Sequence, residues 1–176
     1  SSDNGLTWSD QLRINQIGGD CIDSDNTAEG AVPAGGPNGE VYVAWSNQNK
    51  IWFDRSYDAG KTWLDKDLVV ADQVGGWDIV IPGINRCNGL PITVCDLSKS
   101  KYNGTIYVNW TDQKYGVDDT DVWLTKSTDQ GTTWSDPIRV NDDGPGKHQF
   151  FTWMSIDQST GYLYFVYYDR RRFTDN

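Results

Sequence analysis

SYDAGKTW, residues Ser56–Trp63, is the stretch on which the fold turns. The same pattern, S-x-D-x-G-x-T-W, stands at SSDNGLTW (Ser1–Trp8) and at STDQGTTW (Ser127–Trp134). A pattern recurring at intervals of several tens of residues marks a repeat architecture. Each copy has the chemistry of a tight turn. Asp58 supplies a side-chain acceptor, Gly60 tolerates positive φ, Ser56 and Thr62 hydrogen-bond across the turn, and Trp63 anchors it from behind. Asp3, Gly5 and Trp8 take these parts in the first copy, and Asp129, Gly131 and Trp134 in the third. These residues read as structural.

Outward from the turns lie strands. IWFDRS (51–56) and DVWLTKS (121–127) lead into the second and third turns, and DLVV (67–70) and PIRV (137–140) leave them. Before each pair comes an aromatic, β-branched segment entered through a glycine turn: EVYVAWS (40–46), TIYVNWTD (105–112) and YLYFVYYD (162–169). Glu40, at the start of one of these, is expected to face solvent. Upstream of the glycine turns stand GAVPAGG (from Gly30), LPITVCD (from Leu90) and FFTWMSID (from Phe150). One unit therefore holds four short antiparallel strands, with the Trp-anchored turn between the third and fourth. Repeated four-stranded units predict an all-β fold, a β-propeller, of which about three blades' worth is present. The divisions are 1–19 for the end of one blade, 20–75 and 76–140 for two complete blades, and 141–176 for the start of a fourth.

Composition narrows the function. The formal charge is −10, with 25 acidic and 15 basic side chains, which argues against nucleic acid and anionic membrane surfaces as partners. No apolar run reaches membrane-spanning length, so no membrane insertion is expected. Cys21, Cys87 and Cys95 fit no zinc spacing. In an oxidising compartment one disulfide is expected, Cys87–Cys95 or Cys21–Cys87. The alternative is three reduced thiols packed as small hydrophobes. N-x-T sequons occur at Asn103 and Asn109.

The three turns resemble the Asp-boxes, or BNR repeats, of the sialidase superfamily. GWDIVIPGINRCNGLPITVCDLS (76–98) and RVNDDGPGKHQFFTWMSIDQSTGYLYFVYYDRR (139–171) are similar to secreted bacterial Asp-box proteins described as sialidase-like or glycosyl hydrolases. The resemblance implies a secreted or cell-surface protein, with an extracellular glycan or a surface protein as partner. It further implies either a sialidase-like exo-glycosidase or a non-catalytic propeller used in binding, adhesion or a surface assembly. A sialidase-like ring has about six blades, so the remainder of a longer chain, or a second copy of this one, is expected to close it.

Strand alternation also predicts where chemistry sits. Links between strands one and two, and between three and four, fall on one face. Links between two and three, and between blades, fall on the opposite face, which carries the long loops. A sialidase needs an arginine cluster for the substrate carboxylate, a tyrosine nucleophile and an acid/base carboxylate. On the long-loop face the candidate catalytic residues are Glu29, Asp78, Arg86 and Arg170. The candidate substrate contacts are Trp77, His148, Asp169 and Arg171. Each has a structural alternative: Arg170 an interblade ion pair, Arg86 a pair with Asp78 or Asp96, Trp77 a plug between blades, His148 a loop residue bonding a carbonyl. No cofactor is required by this chemistry. Asp23 with Asp25, and Asp118 with Asp119 and Asp121, are candidate calcium ligands or else solvated acidic loops.

Overall fold

The computed structural model describes Ser1 and residues 3–174. Twelve strands are present among them, with no helix. β1 (Glu29–Gly35), β2 (Val41–Asn47), β3 (Lys50–Ser56) and β4 (Leu68–Asp72) pair antiparallel in chain order as one four-stranded sheet. A two-stranded hairpin follows, β5 (Asp78–Ile79) and β6 (Cys87–Asn88). The second four-stranded sheet is β7 (Ile92–Cys95), β8 (Ile106–Asp112), β9 (Asp121–Ser127) and β10 (Ile138–Arg139), again in chain order. β11 (Gln149–Ile156) and β12 (Leu163–Asp169) form a last antiparallel pair. The architecture is a partial β-propeller whose described sheets do not close into a ring. The β5–β6 hairpin falls in a stretch read from the sequence as loop, and β10 is shorter than the expected PIRV strand.

The sheets pack face to face. Tyr42, Ala44, Ile51 and Phe53 of the first sheet share a buried cluster with Cys95, Ile106, Val108, Trp110 and Trp123 of the second. Every residue of β8 is buried, because a neighbouring sheet covers each of its faces. Ile92 and Tyr107 form the next cluster with Met154 of β11. β1 lies beside β7, and β7 beside β11, so the first strand of each unit lines the same inner surface.

The turns repeat atom for atom. Ser56 Oγ accepts from Gly60 N and donates to Asp58 Oδ1, both at 2.8 Å. Thr62 donates to the same carboxylate through N (2.8 Å) and Oγ1 (2.7 Å). Corresponding bonds recur from Ser1 to Thr7 and from Ser127 to Thr133. Hydrogen bonds to the charged form hold Asp3, Asp58 and Asp129 at a pKa of about 2. The residue before each glycine (Asn4, Ala59, Gln130) is also left-handed, with φ of 58°, 58° and 61°. The carboxylate cage, rather than glycine alone, thus sets the turn. Trp134 meets Phe53 of the preceding sheet edge-on at 5.1 Å, which locks the third turn to its neighbour.

Some expectations are corrected. Neither disulfide forms: all three cysteines are free, Cys87 and Cys95 buried among apolar side chains. Burial raises the Cys87 thiol to about 11 and Cys95 to about 12, which leaves both unreactive. Glu40 does not face solvent: it is buried and accepts hydrogen bonds from Asn38 and Gln130. Asn109 is also buried, donating to Trp123 O, so its sequon has no exposed amide.

Gly60 and Gly131 have the same φ, 85° and 84°, but different surroundings. A Cβ on Gly131 would lie 2.3 Å from Phe53, whereas one on Gly60 meets nothing nearer than 3.8 Å. Gly60→Ala is expected to cost about 1–2 kcal/mol from backbone strain alone. Gly131→Ala, with overpacking added, is expected to cost about 3 kcal/mol or more. Denaturant midpoints of the two variants test the difference.

Candidate functional site

The two faces separate as strand direction requires. On one face, the β1–β2 turn meets the third Trp-anchored turn through Glu40 and Gln130. The β11–β12 turn meets the β7–β8 turn through Gln158 and Leu97 N. On the opposite face, the β2–β3 and β8–β9 turns interlock with the long segments between sheets. Gln48 N donates to Asp25 O, Gln113 N to Val74 O, and Gln73 Nε2 to Gly89 O. Every candidate site residue lies on this second face, but they do not gather at one point.

The arginines disperse. Arg86 pairs with Asp23 at 2.8 Å in solvent. Arg170 donates from Nη1 to Pro82 O at 2.7 Å and lies over the Phe173 ring. Arg171 binds Asp169 (2.5 Å) and Asp142 (2.8 Å), and its bond holds the Asp142 carboxyl below the ordinary carboxylate range. Burial alone would raise Asp169, but its bonds to Arg171 and Gln149 outweigh that and lower it. Among the described residues these three arginines therefore form no shared clamp for a carboxylate.

The proposed contacts also take other roles. Trp77 is only 1% exposed, so its ring faces are closed to a ligand. Asp78 is exposed, and its backbone N, like that of Trp77, donates to Asp25 Oδ1. Asp25 thereby organises the loop, while Asp23 is turned to Arg86. Asp118 is exposed, Asp119 and Asp121 are buried, and Asp121 bonds Asn141 and Arg139. Among the described residues no group of three or more His, Cys, Asp or Glu is arranged to hold a metal ion. Of the aspartates read as calcium ligands, Asp23, Asp25 and Asp121 are engaged by Arg86, by the Trp77 and Asp78 amides, and by Asn141 with Arg139.

A polar network that the sequence did not signal joins the second sheet to β11–β12. Asn141 Nδ2 lies within 3.0 Å of Asp121, Asp143 and Gln149, and Gln149 Nε2 reaches Asp143 and Asp169. Burial raises the Asp121 pKa. His148 is fully buried beside this network, its Nδ1 2.9 Å from Thr120 Oγ1. Through Nδ1 it joins the start of β11 to the β8–β9 loop.

One open cavity is a groove along the inner surface. Gly30, Ala31 and Val32 of β1, the Asn88–Ile92 segment and Phe151–Trp153 of β11 enclose about 370 Å³, within the range of ligand pockets, ~300–1,000 Å³. Glu29 stands at the loop-face end of β1, directly before Gly30. Among the described residues its carboxylate has no hydrogen-bond or ion-pair partner. The first strand is irregular at this level in two units: register shifts between Glu29 and Val32, and between Phe150 and Trp153. Such bulges leave no clear mark in a strand sequence.

No family model matches the chain, and no curated protein matches it. Among solved structures it is similar to an α-L-arabinofuranosidase of Fusarium graminearum in complex with an iminosugar inhibitor (17% identity, TM-score 0.58, covering 90% of this chain and 45% of that one). It is also similar to an α-L-arabinanase of Penicillium chrysogenum complexed with arabinobiose (20% identity, TM-score 0.56, covering 90% and 46%). At these identities the likeness shows the propeller fold, and the chain spans less than half the length of each.

The buried His148 gives a pH signature. Burial, and then the nearby Arg170 charge, hold its pKa below the ordinary 6.5. The unfolded chain takes up a proton where the folded one does not, so this contribution is intact above about pH 6.5 and is lost as pH falls below it. His148→Gln is expected to flatten the decline in stability between about pH 7 and 5, measured by denaturant midpoints across that range.

Proposed function

We propose that this chain is part of a secreted or cell-surface propeller that acts on extracellular glycans, with the substrate entering the inner groove from the long-loop face. The observation that carries the reading is the groove itself. It is a concave, largely apolar site framed by the first strands of three units, and Glu29 directly precedes its lining residue Gly30 in β1. Solved propellers of the same fold act on or hold arabinose-containing sugars, which supports a glycan as the occupant.

In the catalytic form of this reading, Glu29 is the group to move a proton at the glycosidic oxygen, as glycoside hydrolysis requires of one carboxyl. The second carboxylate or nucleophile comes from elsewhere in the ring. The dispersal of Arg86, Arg170 and Arg171 favours a second reading, a non-catalytic glycan-binding propeller, over a sialidase with an arginine clamp.

Hydrolysis and binding of a glycan panel by the full-length protein, beside Glu29→Gln, test both readings. Catalysis predicts turnover that falls about 100-fold or more in the variant with thermal stability unchanged. Binding without turnover selects the second reading. Neither binding nor turnover overturns both.

A further inference from the structure

We infer that the inner groove takes an uncharged sugar ring, stacked on an aromatic platform of Phe151 and Trp153, and that a strained backbone at Phe151 sets this platform in place. The inference deepens the glycan reading above and rests on it.

Phe151 has φ +51° in the middle of β11. That left-handed geometry is rare for a bulky residue and persists only where the surroundings enforce it. The bulge itself does not require an aromatic ring. β1 carries the same irregularity at the equivalent level, and there Gly30 occupies it with φ +72°, with Leu90 filling the space a side chain would take. A glycine suffices for the backbone, so the ring at 151 serves something else.

Its surroundings indicate what. Phe151 stands edge-on to Phe150 at 5.4 Å and to Tyr168 at 6.0 Å, contacts that fix its plane. It nevertheless remains 38% exposed, and Trp153 is 56% exposed. Both line the groove. The fixed Phe151 ring and the exposed Trp153 beside it suit the apolar C–H face of a sugar ring, and Asn88 adds an amide to the groove lining.

Charge selects the class. Among the described residues no lysine, arginine or histidine lines the groove. Arg86, Arg170 and Arg171 are engaged by Asp23, Pro82 O, Asp142 and Asp169, and the exposed Arg172 is not among the groove's lining residues. A sugar carboxylate would enter an apolar groove without a cation to meet it, which is unfavourable. An uncharged pyranose or furanose meets no such penalty.

Calorimetric titration of the full-length protein with arabinobiose, lactose and sialyllactose tests the inference, beside Phe151→Asn and Trp153→Ala. Asparagine tolerates left-handed φ and so keeps the bulge while removing the ring. The expected result is binding of a neutral sugar that weakens at least tenfold in each variant, with melting temperature nearly unchanged. Neutral-sugar binding unaffected by both changes overturns the platform but leaves the glycan reading standing. Binding of sialyllactose alone overturns the neutral class and likewise leaves that reading. A collapse of melting temperature in Trp153→Ala with unaltered affinity means that polypeptide covers this face, and overturns the platform. No binding of any glycan overturns the inference together with the reading beneath it. The strain has its own readout: Phe151→Gly should melt at or above Phe151→Ala, and the reverse order overturns it.

Discussion

Face-to-face packing between successive sheets is the constraint on which the rest of this molecule depends. A strand such as β8, apolar on both sides, is stable only when a sheet covers each face. Tyr42 and Phe53 supply one cover, and Met154 with its neighbours the other. Burying these aromatics from water is the dominant favourable term. It requires the sheets to stand side by side with their first strands along one inner surface. The Trp-anchored turns serve the same packing: Gly131 is small because Phe53 lies where a side chain would go.

Once the sheets stand in that way, antiparallel alternation sorts the connections without further instruction. The β1–β2 and Trp-anchored connections gather on one face, where Glu40 and Gln130 tie one unit to the next. The long segments gather on the other. Much of what they carry is spent on holding themselves in place. Asp25 caps two backbone N–H groups, Asn141 bridges three acceptors, and His148 is sealed beneath the β8–β9 loop. Arg86 and Arg171 are held by aspartates one by one and Arg170 by a backbone carbonyl, so they do not converge. The groove, apolar and bulged, is a surface open to a ligand apart from that charged rim.

The strands and turns were legible because their chemistry is local. The S-x-D-x-G-x-T-W hydrogen bonds all close within seven residues, and the aromatic, β-branched make-up of residues 105–112 and 162–169 marks both as strands. The site was legible only in part. Arg170, Trp77 and His148 stood out as unusual residues in long loops, but an unusual residue in a loop is as readily a fastener as a ligand contact. Phe151 and Trp153 were hidden, since FFTWMSID reads as an ordinary strand and nothing local announces a left-handed phenylalanine within it.

The sequence by itself determined the repeat and the order of strands within each unit, because both follow from hydrogen bonding and side-chain pattern over a few residues. Only the tertiary structure decided that the cysteines stay apart, that the arginines scatter to separate partners, and that an aromatic pair opens onto the inner groove. Those outcomes depend on which distant segments come within hydrogen-bond or contact distance, and that is set by how sheets pack against one another rather than by any stretch of sequence read alone.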